Sequence, residues 1–190
     1  MKVETSLNAI FTSKTRAKLV NIFFTSPQEI YYVRQLVRDT GEEINSVRRE
    51  LSNLAKINLI LPEARGNRLY YIPNQKHHLF PILLALAYKS LPFCEALGKA
   101  QLVVAAYSFL LGLNKNQDKI DIVVVGDLST KTVELAMKSE ETRRGHEINY
   151  MVMDKEELRL RQNKRDPFLV DFFLSSPVVI MGSPQILTDN

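Results

Sequence analysis

Apolar residues in the first part of the chain recur first at helical and then at strand spacing. Behind Ser13, the segment KTRAKLVNIFF sets Ala17, Val20 (with Leu19) and Phe24 three and four residues apart. That spacing predicts a helix capped by Ser13 and stopped at Ser26-Pro27. Tyr31-Tyr32 leads into a stripe of Val33, Leu36 and Val37, a short second helix that must end at Gly41. Ile44, Val47, Leu51 and Leu54 then follow at spacings of 3, 4 and 3, predicting a third amphipathic helix. In NLILPEARGNRLYYIP the rhythm changes to two short strands, residues 59–63 and 68–72, joined by Ala64-Arg65-Gly66-Asn67. Gly and Asn supply the positive φ that a tight hairpin needs.

Residues 77–98 read as a mostly apolar helix and a connector at Leu91-Pro92. Its stripe must be buried, and a partner subunit and the second half of the chain are both candidates. Beyond it, residues 99–109 read as a buried strand, LNKNQD as a loop and KIDIVVVGD as a second buried strand. A polar helix over 129–144, an alternating strand HEINYMVM, two helices (DKEELRLRQ and DPFLVDFFLSS) and a last strand PVVIMGSP complete the series. Strands alternating with helices predict a small α/β domain. The expected organisation is a first domain at 1–76, a linker helix and connector at 77–98, and a second domain at 99–190.

Composition excludes several classes. In 190 residues, 24% charged and 45% hydrophobic positions are the balance of a globular protein, not of a disordered tail or a coiled-coil rod. The longest apolar runs, 79–88 and 102–113, are shorter than the ~20 residues that cross a bilayer, so no membrane partner is expected. MKVETSLNAI lacks the apolar core of a secretory signal. Cys94 is the single cysteine, so no intramolecular disulfide can form, and a cytoplasmic setting is expected.

Charge changes the picture more. Residues 1–90 carry 13 Lys and Arg against 7 Asp and Glu, whereas residues 91–190 carry 12 against 14. A basic half joined to a mildly acidic half points to a polyanion-binding module fused to something else. Other chemistry is sparse. His77-His78 lack metal-ligand spacing, His146 reads as surface, and Cys94 reads as a small buried hydrophobe. Tyr31, Tyr32, Tyr70 and Tyr71 read as flanking a small core rather than as a stacking platform for single strands.

Two short helices around a glycine, the second with a polar, basic outer face, followed by a basic-tipped hairpin, form the pattern of a winged helix. The motifs SKTRAKLVNIFF, YYVRQLVRDTGEEINSVRRELSNLAKINLI and RGNRLYYIPN, in that order, resemble the prokaryotic winged-helix transcriptional regulators over about the first 80 residues. The resemblance implies sequence-specific binding of double-stranded DNA. With the stripe inward, Asn45, Arg49, Ser52 and Lys56 point outward, flanked by Ser46 and Arg48. Asn45, Ser46 and Arg49, near the helix N-terminus, are the base-reading candidates. Arg65 and Arg68, either side of the hairpin tip, suit phosphates or the minor groove, and Asn67 between them is counted with the DNA-binding residues. A homodimer on an inverted repeat is expected, with residues 78–90 as its interface.

The second half resembles the minimal nucleotidyltransferase domain fused to such regulators. The family places Gly-Ser after the first strand, Asp-x-Asp entering the next, and a third carboxylate on a later strand, to hold nucleotide and two divalent metals. Here the corresponding residues are Gly112-Leu113, Lys119-Ile120-Asp121 and Asn149. An ammonium stands where a Mg²⁺ ligand is needed, and hard cations require oxygen ligands. Gly112, Lys119 and Asp121 thus mark a degenerate nucleotide site, with no catalytic residue, no resident metal and no turnover expected. Nucleotide or small-molecule effector binding stays open at this point. So do the alternatives of an active nucleotidyltransferase and of an antitoxin-like interaction module.

Overall fold

The computed structural model describes residues 11–113 and 119–188. The chain is mixed α/β and divides into two compact units, Met1–Ser90 and Leu91–Asn190. Expectations for the N-terminal MKVETSLNAI, for Asp118 and for most of the loop LNKNQD lie outside the described residues.

The first unit is built from α1 (Lys14–Thr25), β1 (Tyr31–Tyr32), α2 (Val33–Thr40), α3 (Ile44–Lys56), β2 (Ile60–Arg65), β3 (Arg68–Pro73) and α4 (Phe80–Lys89). Ser13 caps α1, its side chain accepting a hydrogen bond from the Arg16 N–H at 3.2 Å. Gly41 ends α2 in the left-handed conformation, its N–H donating to the Val37 carbonyl. The three helices bury Leu19, Val20, Phe23, Phe24, Leu36, Val47, Leu51 and Leu54 in one core. β2 and β3 pair antiparallel up to Arg65 opposite Arg68. The turn is therefore the two residues Gly66 and Asn67, with Ala64 and Arg65 belonging to the strand instead of the four-residue turn expected. Gly66 takes φ +57, the positive φ required in such a short loop. β1 adds a third strand, Tyr31 facing Tyr71 and Tyr32 facing Tyr70. Two residues are too few to give a periodic signal, and the sequence reading missed this strand.

Residues 77–98, expected as an apolar linker helix and a connector at Leu91-Pro92, divide between the two units. α4 packs on α1 within its own unit: the Phe24 and Phe80 rings lie 5.4 Å apart and the Tyr88 hydroxyl donates to the Thr25 carbonyl at 3.3 Å. Phe80, Leu84, Ala87 and Tyr88 are buried by this packing, a destination not weighed in the sequence. The chain breaks at Ser90, and Pro92 opens α5 (Pro92–Ala96), which belongs to the second unit.

That unit continues with β4 (Leu102–Ala105), α6 (Tyr107–Leu110), β5 (Ile122–Val125), α7 (Thr130–Arg144), β6 (Tyr150–Met153), α8 (Lys155–Asn163), α9 (Pro167–Leu174), β7 (Val178–Gly182) and a 3₁₀ turn at Pro184–Leu187. The sheet order is β6-β5-β4-β7, with β5 and β6 parallel and the other pairs antiparallel. Every residue of β4 and β5 is buried, as their unbroken apolar sequences require of central strands. The strand expected over 99–109 stops at Ala105. Tyr107 starts a helical turn, because a continuous apolar run carries no period to separate strand from buried helix.

Candidate functional site

On α3 three residues of the inward stripe, Val47, Leu51 and Leu54, are buried, and the first, Ile44, is half-buried. Asn45, Arg48, Arg49, Ser52 and Lys56 are exposed and Ser46 is half-buried. Glu50 breaks the pattern: it is buried, at 3% exposure, on the inner side of the same helix. Its carboxylate accepts hydrogen bonds from Ser13 Oγ at 3.0 Å and Arg16 Nε at 2.9 Å, both at the start of α1. Burial pushes this carboxyl up, but the hydrogen bonds from Arg16 and Ser13 outweigh it and hold the group below its ordinary value. Glu42, in the turn before α3, is likewise tied to α1. It accepts from Lys18 Nζ and from Thr15 Oγ1, and the Lys18 hydrogen bond lowers its carboxyl.

Two acids of the α2–α3 segment, Glu42 and Glu50, are thus paired with side chains of α1. Among the described residues, no salt bridge engages Arg48, Arg49 or Arg68. At the hairpin tip Arg65, Asn67 and Arg68 are exposed. Arg65 Nε donates to Glu63 at 2.8 Å, an exposed pair of the weak kind that exchanges readily. The Arg68 guanidinium lies 5.7 Å from the Tyr32 ring centre. Arg48, Asn67 and Arg68 border one groove of about 670 Å³, and Arg34 of α2, which sequence reasoning passed over, borders it too. Its signal was weak because an exposed Arg on a short helix reads as a solvated face.

In the second unit, Lys119, Asp121 and Asn149 meet where β5 and β6 begin. Asn149 Nδ2 donates to the Lys119 carbonyl at 3.1 Å, and its backbone N–H donates to Asp121 Oδ2 at 3.0 Å. Asp121 is buried, and among the described residues its Oδ1 has no hydrogen-bond partner. Burial raises this carboxyl, with the Asn149 N–H and the charges of Arg144 and His146 acting the other way. The Lys119 ammonium lies 3.7 Å from Asp171 at the exposed surface.

Gly112 does not sit at the strand-to-helix junction where it was placed. The strand ends at Ala105, Tyr107 and Ser108 open the following helix, and Gly112 lies beyond that helix with φ +69. Tyr107 and Ser108 carry hydroxyls in the first turn of that helix. Among the described residues, no three His, Cys, Asp or Glu side chains come together as a metal cage. His77 is engaged locally, with Nδ1 accepting from the Leu79 N–H and Nε2 3.1 Å from the Ile57 carbonyl. Cys94 is buried. No helix among the described residues is long and apolar enough to cross a membrane. Compared with protein-family models, curated proteins and solved structures, the chain has no match in any of the three.

Proposed function

We propose that the first unit is a winged helix that binds double-stranded DNA sequence-specifically, and that the protein is a cytoplasmic transcriptional regulator. The observation that carries this reading is the outer face of α3. It combines exposed Asn45, Arg49, Ser52 and Lys56 with two nearby acids, Glu42 and Glu50, neutralised by α1. A helix with exposed Arg and Asn near its N-terminus suits base edges, where Arg pairs with guanine and Asn with adenine. Arg65 and Arg68 on the hairpin suit phosphates or the minor groove. Specific regulators of this type commonly use two half-sites, so a homodimer on an inverted repeat belongs to the proposal. With the inner stripe of α4 covered by α1, its outer side, including the 65%-exposed Ile82, is the surface left for that role.

The second unit is proposed as a nucleotidyltransferase-like domain without transfer activity, serving assembly or effector sensing. Supporting this are Lys119 and Asn149 beside Asp121, where converging carboxylates would be needed to hold cations. Selection of bound fragments from genomic DNA, followed by footprinting, tests the DNA assignment. Recovery of a common motif is expected. Recovery of a stoichiometric protein partner and no DNA would replace it with an interaction module. Metal-dependent transfer of label from a nucleoside triphosphate, lost in Asp121→Ala, would restore the enzyme.

A further inference from the structure

The groove beside α3 collects three guanidinium side chains from three different elements. Arg34 comes from α2, Arg48 from α3 and Arg68 from β3. None of its lining residues is acidic, and no described salt bridge engages any of the three arginines. Tyr32 and Tyr71 belong to the three-stranded sheet, and Tyr32 lies against Tyr70 with ring centres 6.1 Å apart and against the Arg68 guanidinium. Burial raises the Tyr71 phenol above its ordinary range, with the Arg48 charge as its opposing influence. Three like charges facing one cavity repel one another, and an anion bound among them removes that cost.

We infer that this groove holds a phosphate of the DNA backbone, with Arg34 as a phosphate ligand and Arg48 turned to the backbone rather than to bases. The inference rests on the DNA-binding reading of the first unit and extends it to a residue outside the proposed reading face. Guanidinium groups match phosphate oxygens in charge and in their forked donors. DNA is the favoured source of the phosphate because the groove is continuous with α3. Arg48 borders the groove while its neighbour Arg49 is exposed on the proposed base-reading side. A strand whose bases meet Arg49 would carry its phosphates past Arg48 and Arg34, fixing register without reading sequence.

The test uses the full-length chain and a random-sequence duplex, with affinity measured between about 50 and 200 mM salt. Arg34→Ala is expected to flatten the slope of log affinity against log salt by about 0.9, the signature of one lost phosphate contact. Across that fourfold rise in salt the variant then loses about 3.5-fold less affinity than the wild type. Arg34→Lys should restore most of the slope. Arg38→Ala, an exposed cation on the same helix but outside the groove, should leave the slope unchanged. A wild-type slope in Arg34→Ala, or equal effects of Arg34→Ala and Arg38→Ala, would overturn the groove assignment while leaving DNA binding intact. Failure of the wild type to bind duplex at the lowest salt would overturn the DNA reading and the inference with it. Should inorganic pyrophosphate then bind the wild type and not Arg34→Ala, the groove would belong to a free phosphate compound instead.

Discussion

The two units contain nearly equal numbers of basic residues, 13 and 12, but use them differently. In the first, basic side chains of α1 pair with two of the four acids between Val33 and Lys56, Glu42 and Glu50, and Arg34, Arg48, Arg49 and Arg68 stand outside any described salt bridge. In the second, arginines are spent within the fold. Glu140, buried on α7, receives hydrogen bonds from both Arg143 and Arg144, and Arg144 also donates to the Phe109 carbonyl while stacking 3.6 Å from that ring's centre. Arg161 bridges Glu157 and Asp166. A count of charges separates the units by eight. The partners of those charges separate surface available to a polyanion from surface that stabilises a fold.

The most disruptive expected change lies in the second unit. Gly182 sits at φ +88, and a Cβ there would lie 1.9 Å from the carbonyl oxygen of Gln101, the residue just before β4. Gly182→Ala should therefore cost about 3 kcal/mol through forced displacement of β7 from β4. Urea unfolding of the full chain should show this loss, with duplex affinity at low denaturant unchanged. An equal loss of DNA affinity would mean that the division of labour between the units is wrong.

Next in size are two buried carboxylates that respond to pH with opposite signs. Glu50→Ala should destabilise the first unit by about 2 kcal/mol at neutral pH, a figure reduced from the cost of a fully buried pair because Arg16 is partly exposed. The folded-state value of Glu50 is depressed, so its contribution is complete above the unfolded value of about 4.3. It is lost as pH falls through the folded value, and the wild type and variant should converge in acid. Asp121 is shifted upward, so its ionised form costs stability above the raised folded value, and that cost disappears in acid. Asp121→Asn should stabilise the second unit at neutral pH, with the gain fading on acidification. Thermal unfolding scanned over pH would check both, and parallel pH dependence in the two variants would contradict the assignments.

Much of this organisation was legible because amphipathic helices write their buried faces at fixed intervals. Ser13, Gly41, Val47, Leu51 and Leu54 fall where the spacing put them. Other features depend on contacts distant in sequence. Glu50 is a residue type that a helix usually gives to solvent, and its buried carboxylate is satisfied by Ser13 and Arg16, 37 and 34 residues away, with Asn53 on its own helix. α4 was recognisable as an apolar helix, but α1 as its partner was not. The run ending at Phe109 offered no period with which to locate the strand end at Ala105, and Gly112, expected directly after the strand, lies beyond a further helical turn. For the proposed interface, the outward residues of α3 could be named from the sequence. The convergence of Arg34 with Arg48 and Arg68 required the third strand, β1, that brings Tyr32 beside the hairpin.

The central claim, that α3 reads DNA sequence while the hairpin holds its backbone, is tested most directly by comparing Arg49→Ala and Arg68→Ala on fragments selected from genomic DNA. Binding of each variant should be measured to the selected sequence and to versions changed one base pair at a time. Arg49→Ala is expected to lose about 1–3 kcal/mol on the selected sequence and to become indifferent to one or more base pairs. Arg68→Ala should weaken binding to every sequence alike and retain the wild-type preference. Unchanged affinity and unchanged specificity in Arg49→Ala would contradict the account.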